Sequence, residues 1–303
     1  MSTRRRIRKA LIPAAGLGLR MLPITKAISK EMMPLVDTPV AQYVVNEAVA
    51  SGIETVIFVI NDSRMALERH FSPAPRLENL LAESGRAREA ESLRRLSRLA
   101  EIRFVRQPEP LGVGHAIACA AEEIGDEPFA VLLADNVIDA AVPCIRQLMD
   151  AYEAFPGCMV AGRRIAPALS SSFGILLTEP IANPEWKDRV FRVMDLVEKP
   201  AAGTVPSDFG VYGRYVLEPE ILSCLASIGR RASGEIQLTD ALSLYRREGG
   251  AIHMLQFMGD HYDTGDKLGF VKATIAFACK HPEIAPRLRE YLRELAAGES
   301  PRD

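Results

Sequence analysis

The sequence predicts an α/β fold with a Rossmann-like, mixed and mainly parallel sheet flanked by helices, on three observations. Short runs of strand-forming residues alternate with helical segments, the pattern of strand–helix–strand units in a parallel sheet. Some of those runs, Thr55 to Ile60 (TVIFVI) and Phe129 to Ala134 (FAVLLA), are apolar throughout, as strands covered on both faces must be. Three of them run into a glycine loop or an aspartate, and ligands of open α/β sheets bind outside the carboxyl ends of the strands.

The first strand, Arg8 to Pro13, ends abruptly in Ala14-Ala15-Gly16-Leu17-Gly18-Leu19-Arg20. Small residues and two glycines there let the backbone approach a ligand closely. Between Met1 and Lys30 stand eight Lys and Arg and no Asp or Glu, in a chain of net charge -2. The local sign points to a polyanionic ligand. Thr38-Pro39 reads as an N-cap followed by proline at the first helical position, opening a helix that Gly52 closes, with Val40, Val44 and Val45 on its apolar face. Leu77 to Leu99 reads as one or two charge-rich surface helices. The strand Ile102 to Arg106 runs into a second glycine loop, Gln107 to His115, and the strand ending at Ala134 is followed by Asp135-Asn136. Loops Ala14–Arg20 and Gln107–His115 and Asp135 are thus expected at one sheet edge. Beyond Met159 the strands are Cys158 to Gly162, Phe173 to Thr178, Val190 to Val197 and Val211 to Leu217, and the helices Leu238 to Arg246 and Leu268 to Lys280. The residues from Gly298 to Asp303 are expected to fray.

Composition narrows the class. A chain of 303 residues with 48% hydrophobic content can bury one large core. No apolar run approaches the ~20 residues that cross a bilayer, and the apolar stretch after Thr3-Arg4-Arg5-Arg6 is broken by Pro13, Gly16 and Gly18. A soluble, cytoplasmic protein follows, with neither membrane nor nucleic acid as partner. Cys119, Cys144, Cys158, Cys224 and Cys279 are scattered, form no Cys-x-x-Cys pair and are odd in number, so they read as reduced, mostly buried small hydrophobes.

Gly16-x-Gly18 lacks both the Gly-Lys-Ser/Thr ending of a P-loop and the third glycine of a dinucleotide fold. What specifies the loop is its continuation. Gly16-Leu17-Gly18-Leu19-Arg20-Met21-Leu22-Pro23, Thr25-Lys26-Ala27, Lys30-Glu31-Met32, Pro34-Leu35-Val36-Asp37-x-Pro39 and Gln42-Tyr43-Val44-Val45-Asn46-Glu47 form one contiguous pattern. It resembles the signature of the sugar-phosphate nucleotidylyltransferases, and within them the bacterial UTP–glucose-1-phosphate uridylyltransferases. The resemblance runs from about Lys9 to about Pro282.

What it implies is a single nucleotidyltransferase domain over residues 1–303, its N-terminal part binding nucleotide and its C-terminal part mainly sugar phosphate. The implied reaction joins UTP and glucose 1-phosphate into UDP-glucose and pyrophosphate. The resemblance assigns the triphosphate to the amides of Ala14, Ala15, Gly16 and Gly18 with Arg20 and Lys30; Lys26 is a further candidate cation. Gln107 carries a donor and an acceptor suited to the uracil edge, with Gly112 and Gly114 against base and ribose. His115 is read as structural. Lys199 is implied for the sugar phosphate, Glu198 and Gly174 for the sugar, and Asp135 and Asp263 for Mg²⁺. Two aspartates suffice, because Mg²⁺ completes its octahedron with water and phosphate oxygens. Gly234 to Asp240 is read as supporting shell, and a homo-oligomer is implied by the family habit.

The sequence departs from the family pattern at four places. Leu19 stands where threonine is usual. Asn61-Asp62-Ser63-Arg64 and Gly259-Asp260-His261 replace more basic segments. Asp135-Asn136, where the uridylyl group often has two aspartates, resembles the thymidylyl relatives instead. These departures leave two rivals: a thymidylyl or other sugar-nucleotide pyrophosphorylase, and a weakly active regulatory paralogue.

Overall fold

In β1 (Lys9–Pro13), Ala10 and Ile12 face one side of the sheet and Leu11 the other. That alternation, repeated in the neighbouring strands, divides the interior into two apolar layers. The structure, a computed structural model, describes residues 6–61, 65–186, 188–231 and 234–298. Arg4 and Arg5, most of the Asn61 to Arg64 departure, and the end expected to fray after Gly298 lie outside the described residues.

After β1 the chain forms β2 (Pro34–Leu35), β3 (Thr38–Pro39), α1 (Val40–Ala50), β4 (Thr55–Ile60), α2 (Met65–Phe71), α3 (Pro75–Glu83), α4 (Ala87–Leu96) and β5 (Glu101–Arg106). Then come α5 (Gly112–Cys119), α6 (Ala121–Ile124), β6 (Phe129–Leu132), β7 (Asn136–Asp139), α7 (Cys144–Ala154), β8 (Cys158–Arg164), β9 (Gly174–Pro180), β10 (Val190–Glu198) and β11 (Phe209–Leu217). The chain closes with α8 (Glu220–Ser227), α9 (Leu238–Arg247), β12 (Ile252–Gln256), β13 (Asp260–Asp263), α10 (Lys267–Ala278) and α11 (Ala285–Ala297).

The main sheet has the order β5-β4-β1-β6-β11-β8-β12-β10-β9. Its first four strands are parallel, β8 and β12 are parallel, and the remaining pairings, including β9 with β11, are antiparallel. The sheet is therefore mixed, with its parallel block in the N-terminal half. On one face, α1 and α7 bury Val44, Val45, Ile145 and Leu148 against Ala10, Ile12, Phe58 and Leu132. On the other, α5, α8 and α9 bury Ile117, Leu225 and Leu242 against Leu11, Ile57 and Val131. All six residues of β4 are buried, as a strand with helices on both faces requires. Among the described residues no helix is long and apolar enough to cross a membrane.

The start of α1 differs from expectation. Leu35 and Thr38 pair across the β2–β3 hairpin, which holds Thr38 extended, and its hydroxyl donates to Asp37 Oδ1 at 2.9 Å. The helix begins one residue later, with Pro39 at its N-cap, and the Val40 amide donates to Met33 O at 3.1 Å.

Two charged side chains lie inside the layer between α1 and the sheet. Arg214 of β11 is fully buried and Glu47 of α1 nearly so; Arg214 Nη2 stands 2.8 Å from Glu47 Oε2. The guanidinium also donates to the carbonyls of Leu133 (3.2 Å) and Asn136 (2.7 Å), and Glu47 Oε1 accepts the Ile145 amide at the start of α7 (3.0 Å). Removing one partner strands a buried charge, at a cost of about 3–5 kcal/mol. Arg214→Met should therefore lower the unfolding free energy by about that amount in a urea titration, whereas breaking the surface pair Arg95–Glu91 should leave the midpoint in place. An unchanged midpoint for Arg214→Met would show that the pair is not a structural hub.

Candidate active site

The cleft lies at the carboxyl ends of β1, β5 and β6. A cavity of about 340 Å³ is lined by Ala15, Gly16, Gly18, Leu19, Lys30, Gln107, Gly112, Asp135 and Glu235. A second, of about 590 Å³, shares Gly112, Asp135 and Glu235 with it and adds Arg20, Gly174, Glu198, Lys199, Thr239, His261 and Asp263. The two adjoin at Asp135.

The loop after β1 turns at Gly18, whose φ of 67° is left-handed and open to glycine at little cost. A side chain there would also meet Thr25, whose hydroxyl donates to Gly18 O at 2.9 Å. Leu19 projects into the cleft and is 66% exposed. Lys26 is exposed and lies on neither cavity wall. Ala14 does not fit the expectation of a phosphate amide, because its N–H donates to Val59 O at 2.7 Å and extends the strand pairing.

In the second loop, Gln107 is 6% exposed and its Nε2 donates to Gly112 O (3.1 Å) and lies 3.0 Å from His115 Nδ1. His115 therefore orients the glutamine amide, in line with its reading as structural. Gly114 departs from expectation: its N–H donates to Ile236 O (2.9 Å), and a Cβ there would come within 2.7 Å of that same oxygen. The space that was to take the ribose is filled by the segment carrying Glu235, Ile236 and Gln237. That segment, read from sequence as supporting shell, places Glu235 on the wall of both cavities.

Asp135 and Asp263 are brought together by the small β7–β13 ladder, in which Asn136 pairs with Asp263. Thr264 adds a clamp, its amide and hydroxyl both donating to Asp135 O at 2.8 Å. Two cations meet the carboxylates. Lys30 Nζ is 2.5 Å from Asp135 Oδ2, and Arg20 Nη1 is 3.2 Å from Asp263 Oδ2 with Nη2 3.9 Å from Asp135. Burial pushes the Asp135 carboxyl up, but the Lys30 charge and hydrogen bond and the Arg20 charge outweigh it and hold Asp135 below the usual range. Asp263 moves the other way, raised by burial and by the Asp135 charge. Burial opposes the Lys30 charge, yet Asp135 and Glu31 keep its ammonium above the ordinary value. His261 is pulled down to about 4, first by burial and then by the Arg214 charge.

A Cβ on Gly265 would lie 2.6 Å from Arg20 Nη2, 2.7 Å from Asp135 Oδ2 and 3.0 Å from Asp263 Oδ1. Both carboxylates thus open onto one small space, which glycine leaves free. Among the described residues no group of three or more His, Cys, Asp or Glu is arranged to hold a metal ion. A hard, all-oxygen pair completed by phosphate and water suits Mg²⁺ rather than a softer metal.

On the far wall, Gly174 of β9 pairs with Glu198 of β10, and a Cβ at Gly174 would come within 3.2 Å of Glu198 Oε2. That oxygen accepts from Thr239 Oγ1 at 3.1 Å, a contact missed from sequence although Thr239 lies in the segment singled out. Lys199 follows in a left-handed conformation (φ 44°) with an exposed side chain, its Nζ 3.8 Å from Glu198 Oε1. A strained lysine at the rim of a cleft is the kind of residue a ligand site retains.

Comparison with known proteins identifies the family. The family model for nucleotidyl transferases matches residues 9–278. The chain is 44% identical to the UTP–glucose-1-phosphate uridylyltransferase YngB of Bacillus subtilis, over 98% of both chains. It is similar to a solved UTP-bound UDP-glucose pyrophosphorylase of Acinetobacter baumannii, at 32% identity and a TM-score of 0.84, covering 95% of this chain and 99% of that one. A UDP-glucose pyrophosphorylase solved with UDP-glucose is 35% identical, with a TM-score of 0.81 over 91% of this chain and all of the other. The chain belongs to the nucleotidyl transferase family, on the branch that carries the UTP–glucose-1-phosphate uridylyltransferases.

Proposed function

We propose that this protein transfers a uridylyl group from UTP to glucose 1-phosphate, forming UDP-glucose and releasing pyrophosphate. The observation that carries the reading is the pair of adjoining cavities meeting at Asp135, one walled by the glycine loop and the other by Glu198 and Lys199. The relatives named for this reaction support it.

A sugar phosphate oxygen attacks the α-phosphorus; that P–O bond forms as the bond to the pyrophosphate oxygen breaks on the opposite side. The nucleophile is already anionic near neutral pH, so the residues contribute alignment and neutralisation rather than proton transfer. Lys30 on the glycine-loop cavity, and Arg20 on the second cavity beside Asp135 and Asp263, offset charge building on the leaving pyrophosphate. Lys199 pairs with the sugar phosphate, and Glu198, steadied by Thr239, accepts from sugar hydroxyls. Asp135 and Asp263 would hold Mg²⁺, which when bound would supply positive charge to offset that of the phosphates.

Five free cysteines suit a reducing compartment and support a cytoplasmic site of action, which cell fractionation reads directly. A homo-oligomer is part of the same reading. Leu288, Tyr291, Leu292 and Leu295 form a stripe along α11, with Tyr291 and Leu295 exposed, and α10 exposes Leu268, Val271 and Ile275. Stripes of this kind are covered when copies associate. Light scattering from the purified protein should give a multiple of 33.3 kDa, and a monomer would remove this reading.

Pyrophosphate release with glucose 1-phosphate should be faster with UTP than with dTTP and should stop with excess chelator. Release faster with dTTP would favour the thymidylyl rival, and binding of UTP without turnover the regulatory paralogue. In the same assay Leu19→Thr should keep the rate or raise it; a large loss would mean that Leu19 itself contributes to nucleotide binding. Lys199→Ala removes one charge-assisted contact, so kcat/KM for glucose 1-phosphate should fall about 10- to 100-fold, with KM for UTP nearly unchanged. Equal losses for both substrates would take Lys199 off the sugar side.

A further inference from the structure

Two side chains beside Asp135 meet in space. Asn136, next after Asp135, lies on β7 and His261 lies on β13, both on the wall of the second cavity. They are 125 residues apart, yet His261 Nε2 lies 2.5 Å from Asn136 Oδ1. The β7–β13 register explains the contact: Asn136 pairs with Asp263, and His261 sits two positions further along the same face of β13. The ring of Tyr212 packs edge-on against His261 at 4.7 Å, which fixes the imidazole from the other side.

The direction of these hydrogen bonds follows from what each group can donate. An ionised carboxylate only accepts, and Asp135 Oδ1 receives Asn136 Nδ2 at 2.9 Å while Oδ2 receives Lys30. The amide nitrogen must therefore face Asp135, its oxygen must face His261, and His261 Nε2 must donate. The imidazole holds the amide in one of its two flips, and the amide holds the Asp135 carboxylate in one rotation. A carboxylate at position 136 could not serve this way. It would set a second negative charge beside Asp135 and would need a cation at position 261 in place of imidazole.

We infer that Asn136 and His261 are an uncharged, matched positioning pair, which fixes the rotation of Asp135 and keeps its loop at a single carboxylate charge. The effect on cation binding rests on the reading of Asp135 and Asp263 as the Mg²⁺ carboxylates; the pairing itself does not.

A double-mutant cycle on the full-length protein tests this, with Asn136→Asp, His261→Arg and both together. Two quantities are read: kcat/KM for UTP, and the dissociation constant of Mn²⁺ followed by electron paramagnetic resonance without substrates. Each single variant should lower kcat/KM at least about tenfold and shift the Mn²⁺ constant, and the double variant should return both to within about threefold of the starting protein. Single effects that simply multiply in the double variant would overturn the pairing. Should a single variant not fold, His261→Gln and His261→Phe keep the test open. Glutamine supplies an amide donor and should preserve Mn²⁺ binding, phenylalanine supplies none and should weaken it, and equal behaviour would again overturn the pairing. If the starting protein and Asp135→Ala both leave Mn²⁺ free, the cation reading fails, while the kcat/KM cycle still decides the pairing.

Discussion

The buried ion pair between Glu47 and Arg214 is the constraint on which the rest of the site depends. A fully buried guanidinium survives only where its donors are met, and here they are met by a carboxylate and by the carbonyls of Leu133 and Asn136 on either side of Asp135. The same carboxylate accepts the Ile145 amide in the first turn of α7. One charge pair thus ties α1, α7 and β11 to the short loop that presents Asp135. Movement of that loop would leave buried donors unpaired, so the loop is rigid for an electrostatic reason.

Above this anchor the site is a balance of opposite charges. A net charge of -2 conceals two cations and two carboxylates within a few ångströms. Lys30 keeps Asp135 ionised, while Asp263 bears the cost of burial beside a like charge. A phosphate-rich ligand entering this cleft meets cations already oriented by the protein. Pre-oriented charge stabilises charge that develops during reaction, because little reorganisation remains to be done. Glycine at 265 is part of that arrangement, since any side chain would fill the space both carboxylates face.

Much of the architecture could be read from residue patterns. The apolar run of β4 and the glycine loops after β1 and β5 are local features, and local sterics and burial decide them. The paired helices α3 and α4 were legible from leucine spacing. The start of α1 was misread because Thr38-Pro39 has the composition of a cap, while the hairpin with Pro34-Leu35 holds it extended. Ala14 and Gly114 were assigned to the ligand for their small size. In each case the backbone amide is committed elsewhere, to Val59 and to Ile236.

The sequence by itself determined the alternating elements, the loop chemistry and, through a contiguous motif, the family. Tertiary structure alone decided which residues act together. Lys30 and Asp135 are 105 residues apart, Glu47 and Arg214 are 167 apart, and Arg20 and Asp263 are 243 apart. No periodicity spans such distances. They close because β6 and β11 lie side by side in the sheet and because β7 pairs with β13, and strand register then sets which side chains face one another.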